Sequence, residues 1–135
     1  MSRRESRDQV FKLIFEYIFT HEIDEDLLND YLSEVSVADE QNYIKDVYYG
    51  VAGKFDYLLS KIEKYSIGFK AKRIYKIDLA IMMLSVFEME FLNSIPLKVS
   101  INEACELAKV YSTQKSVGFI NGILAKVGEE IGLKA

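Results

Sequence analysis

Pro96 is the only proline in the chain, and it forces a break between whatever lies before it and whatever lies after. It has no amide hydrogen to donate and it pushes Ile95 out of the α region, so a helix arriving from the N-terminal side is predicted to stop near Asn93. A new helix starts beyond it. Ser100 and Glu103 have capping-box spacing, with the hydroxyl on a free first-turn amide, the carboxylate reaching back and Val99 as a hydrophobic staple. Ile101, Ala104, Cys105, Ala108 and Tyr111 then recur at three and four, an apolar face narrow enough for close packing. After a polar break over 112–116, Phe119, Ile120, Ile123, Leu124, Val127 and Ile131 trace another helical stripe. Asn121-Gly122 is a hairpin signal, but no alternating strand flanks it, and the reading is helix. Gly122 then costs about 1 kcal/mol relative to Ala, which predicts a neighbouring backbone too close for a Cβ.

The rest of the chain reads as helices with short connections. Val10, Leu13, Ile14, Tyr17 and Ile18 form one stripe, flanked by Phe11, Phe15 and Phe19 four apart, so the first helix is sandwiched in a core or presents aromatics to a partner. Arg3, Arg4 and Arg7 crowd its first turn, where the helix dipole disfavours cations. Residues 20–26 are a loop ending on Asp24 as N-cap, before a short amphipathic helix through Leu27, Leu28, Tyr31, Leu32 and Val35. From Asp39 one long helix is expected to run to Ile62, with Gly50 and Gly53 allowing a close helix crossing. Residues 66–76 are a basic connection carrying Lys70, Lys72, Arg73 and Lys76. Ile77, Ile81, Leu84, Glu88 and Phe91 then share a stripe. A carboxylate there must be hydrogen-bonded, and Glu88 is expected to be buried on backbone amides near Val99 to Ile101.

Half of the 135 residues are hydrophobic, enough for a single domain without staples. One cysteine makes no internal pair, and no apolar run has the length of a signal or a membrane span, which reads as a cytoplasmic protein. A net charge of −4 argues against a freestanding nucleic-acid binder, so any RNA contact is local or shared. There is one histidine and no nucleophile, metal or phosphate-loop motif, so neither catalysis nor a cofactor nor a metal is expected.

The run IPLKVSINEACELAK followed by GFINGIL resembles the C-terminal signature of the NusB transcription antitermination factors, and the resemblance extends over the whole chain. It implies an all-α fold, six or seven helices in two small packed bundles. The chain would be one NusB-like domain over 1–135, with an N-terminal subdomain of about 1–66 and a C-terminal one of about 67–135. It further implies an adaptor that binds boxA RNA together with the ribosomal protein NusE in the transcription elongation complex. Arg4 and Arg7 match the family's RNA-contacting helix start, and Arg3 stands beside them. Phe119 matches an aromatic near the same face. Asp78, at the helix start, matches an acidic position facing NusE and is expected at the surface; Phe15 stands where relatives have a partner-facing tyrosine. Two further departures are Met83, where the family has arginine, and Lys115, acidic in some relatives and here a further cation for phosphate. Two other readings stay open: the RNA-binding domain of an RNA cytosine methyltransferase, and a homodimeric adaptor using the phenylalanine row.

Overall fold

The computed structural model describes residues 2–67 and 73–134; Lys70 and Lys72 of the basic connection lie outside them. Among the described residues the chain forms α1 (Arg3–Thr20), α2 (Glu25–Ser33), α3 (Ala38–Gly53), α4 (Phe55–Tyr65), α5 (Lys76–Phe91), α6 (Leu97–Tyr111) and α7 (Gln114–Lys134). None of these helices is long and apolar enough to cross a membrane.

α5 is the centre of the packing. Every residue from Asp78 to Met89 is buried, so the expected single stripe is too narrow: the helix is enclosed around its whole circumference. It touches α1, α3, α4, α6 and α7. Met83, where the family's arginine would stand, is fully buried in this core.

The helix starts follow local chemistry. α1 opens with a capping box that the sequence reading passed over: the Ser2 hydroxyl accepts from the Glu5 amide at 3.2 Å, and the Ser2 amide donates to Glu5 Oε1 at 3.0 Å. Asp24 caps α2 as expected, accepting from the Leu27 amide at 3.0 Å. α6 corrects the reading. It starts one turn early, at Leu97, with Pro96 at φ −60 and ψ 141 as the capping residue and no side-chain cap. Ser100 and Glu103 therefore sit inside the helix, and Val99 is 41% exposed and staples nothing. A proline needs no hydrogen-bond acceptor and already holds a helical φ, so the chain coils as soon as it is passed.

Three other expectations change. The long helix over 39–62 is two helices, broken at Lys54 with φ −119 and ψ 23. The polar break before the last helix shrinks to Ser112 and Thr113. The glycines divide by what lies beside them. A Cβ on Gly50 would lie 2.2 Å from Phe87 Cζ, so α3 and α5 do cross closely there, whereas Gly53 and Gly122 have nothing within 4 Å. The crowded backbone expected at Gly122 is absent.

Candidate functional site

Of the three N-terminal arginines, Arg7 belongs to the interior. Its Nε and Nη2 donate to Glu88 Oε2 and Oε1 at 2.7 and 3.1 Å, and its side chain is 7% exposed. Glu88 is 1% exposed and also accepts from the Tyr43 hydroxyl and, at 2.7 Å, from Ser100 Oγ. Its burial was foreseen, but its partners are side chains of α1, α3 and α6 rather than backbone amides, because Ser100 lies in the helix facing α5. Burial works against the Arg7 cation, and the bonds to Glu88 outweigh it, leaving the pKa raised. Burial also pushes the Tyr43 phenol well up, so it stays a donor to Glu88. Arg7 is thus corrected from a surface cation to a core ion-pair residue.

Arg3 and Arg4 remain at the surface, each held by a carboxylate. Arg4 donates through Nε and Nη2 to Glu103 at 2.9 and 2.7 Å, with its side chain 70% exposed. Arg3 does the same to Glu40 at 2.9 and 3.1 Å, its guanidinium 4.2 Å from the centre of the Tyr43 ring. The hydrogen bond to Arg4 holds the Glu103 carboxyl below its ordinary value, and that to Arg3 does the same for Glu40. Arg4 and Lys12 line a groove of about 520 Å³ between α1 and α6 whose other charges are largely acidic, among them Glu34 and Glu106.

A second hollow, of about 760 Å³, opens where α5 begins and α6 turns into α7. Arg73, Tyr75, Lys115 and Phe119 line it. Asp78 builds this place from beneath. It is 2% exposed, against the expectation of a surface residue, and accepts Ser112 Oγ and Ser116 Oγ at 2.6 Å each. The hydroxyls of Ser112, between the helices, and of Ser116, in the first turn of α7, draw the carboxylate inward, so Asp78 fixes the start of the helix that carries Lys115 and Phe119. Tyr75 is 64% exposed at the rim. Neither Arg73 nor Lys115 has a carboxylate partner among the described residues. This hollow holds Lys115 and Phe119, but the expected grouping of these two with Arg3, Arg4 and Arg7 does not form: Arg4 lies apart, beside Glu103. The α6 span from Glu103 to Ser112 puts the two places on the order of 14 Å apart. Tyr75 was missed because an aromatic just before an apolar stripe reads as core; Arg73 carried its signal in the basic run.

The phenylalanine row grades outward. Phe11 is buried, with its ring 4.9 Å from Tyr111; Phe15 is half-buried and Phe19 is 61% exposed. Phe15 packs edge-on against Phe19 at 5.1 Å. It therefore keeps some surface while bridging core and solvent.

Compared with known proteins, the chain matches the model of the NusB family over residues 4–129. The chain belongs to the NusB family. It is 43% identical to the transcription antitermination protein NusB of Acetivibrio thermocellus, over 94% of this chain and 88% of that one. Its fold is similar to that of T. maritima NusB, with a TM-score of 0.88 and 30% identity over 96% of this chain and 92% of the other. A crystal structure of antitermination factors NusB and NusE in complex with dsRNA has the same fold, with a TM-score of 0.83 and 22% identity, covering 96% of this chain and 99% of that one.

Proposed function

We propose that this chain is a non-catalytic transcription antitermination factor of the cytoplasm that binds boxA RNA together with NusE, as an adaptor of the elongation complex. The observation that carries the reading is the hollow where Arg73 and Lys115 stand without carboxylate partners among the described residues beside Tyr75 and Phe119. Cations beside aromatic faces suit single-stranded RNA, the cations tracking phosphates and the rings stacking bases. Arg3 and Arg4, at the start of α1, offer a second cationic place apart from the hollow, and Phe15 offers the partner an aromatic surface. Membership of a family whose relatives are antitermination proteins, one of them seen with NusE and RNA in a neighbouring structure, supports the same reading.

A fluorescence titration of boxA RNA at several salt concentrations, with and without NusE, tests it. Each phosphate contact to a single strand contributes about −0.7 to the slope of log affinity on log salt, so R73A with K115A should flatten the slope by roughly 1.4. F119A should weaken binding by about 1 to 3 kcal/mol with the slope unchanged. A double variant that keeps both the slope and the affinity of the unaltered protein would remove the hollow from the RNA surface.

A further inference from the structure

The arginines at the start of α1 present a contradiction: if Arg3 and Arg4 meet RNA, each already holds an anion in the two-bond arrangement that a phosphate would use. We propose that Glu103 and Glu40 are exchangeable counter-ions, which occupy Arg4 and Arg3 until an RNA phosphate replaces them and so set the affinity of this edge. The inference rests on the RNA reading above and adds to it the residues that oppose binding.

The geometry favours exchange over permanent pairing. In the Arg4 pair the arginine is the exposed member, at 70% against 14% for Glu103, so a phosphate reaches the guanidinium from solvent without prising the helices apart. When Arg4 leaves, Glu103 is not stranded. Arg7 Nη1 lies 3.6 Å from its Oε1, and Arg7 is itself fixed by Glu88. In the other pair, too, the arginine is the more exposed member, at 35% against 12% for Glu40. The Arg3 guanidinium rests on the Tyr43 ring, which keeps it at the edge when the carboxylate is exchanged. Exposed ion pairs contribute little and break easily, whereas a buried pair such as Arg7–Glu88 does not. Three neighbouring arginines therefore divide into one that stays and two that exchange.

The test is fluorescence anisotropy of labelled boxA RNA in the presence of NusE at low salt, on variants whose helicity and melting are checked first. E103Q and E40Q should each tighten binding about two- to five-fold, the range an exposed pair spans. R4A and R3A should weaken it. In the R4A background, E103Q should add nothing, because the counter-ion then has no arginine to occupy. E106Q is the control: it removes the same charge from the same groove, but Glu106 is bonded to Lys109 at 3.1 Å and acts on Arg4 only at a distance, so its gain should stay well below that of E103Q. A gain from E103Q that E106Q matches, or that persists without Arg4, overturns the proposal in favour of a diffuse charge effect, and no gain overturns it outright. Should E103Q fail to fold, E40Q carries the same test through Arg3. Should R3A and R4A bind as the unaltered protein does, the α1 edge fails as an RNA surface and the proposal with it, while K115A still reports on the hollow.

Discussion

Glu88 gathers donors from three helices, taking Arg7 twice and Tyr43 and Ser100 once each. With backbone amides as partners, Gln at position 88 would be mild. With a buried guanidinium beside it, E88Q leaves a cation uncompensated in the core, and urea unfolding should show a loss on the order of 3 kcal/mol. Replacing Arg7 and Glu88 together by apolar residues of similar volume should recover most of that loss only when Tyr43 and Ser100, whose hydroxyls would lose their acceptor, are changed to Phe and Ala as well. The sequence shows that Glu88 must be buried and satisfied, because a carboxylate in an apolar stripe permits little else. It does not show the partner. Arg7 lies 81 positions earlier, and their meeting depends on how α1 crosses α5, which no local pattern encodes. Asp78 misled for a related reason: a carboxylate in a helix's first turn ordinarily faces water, and the serines that draw it inward lie 34 and 38 residues on.

Helices meet at places where a single atom decides the spacing. G50A should destabilise by about 1 to 3 kcal/mol, because the added methyl drives into the buried Phe87 ring, and F87L should relieve it. G122A has open space and should instead stabilise by up to about 1 kcal/mol; opposite shifts in melting midpoint check the pair. Both are glycines inside a helical pattern, and the pattern does not distinguish them. The positions of most helices were legible from hydrophobic spacing, but the break at Lys54 was not, since the apolar period passes through it without a proline or a cap. α4 is joined to α7 through Glu130, which accepts from Lys61 and, at 2.6 Å, from Lys64. The hydrogen bonds from Lys61 and then Lys64 lower its carboxyl from 4.5 to about 2. A depressed folded-state value means that the contribution is present above the unfolded value and is lost on acidification. The melting difference between the unaltered protein and E130Q should be widest above about pH 4.5 and close as the pH falls toward 2.

For the molecule as a whole, charge and function pull apart. A net charge of −4 opposes RNA at long range, while the proposed contacts are local, so NusE should both tighten boxA binding and steepen its salt dependence by adding phosphate contacts. The fold sets a different limit. Asp78 to Met89 of α5 is enclosed on every side, so those amides meet deuterium only when the surrounding helices come away together. Hydrogen exchange along α5 should therefore proceed at one common rate, that of global unfolding, while the α2 amides, on a helix with Leu28 as its only buried residue, exchange by local opening. Severing the chain on either side of α5 should leave one fragment with a bare apolar helix and the other with a hole where that helix was.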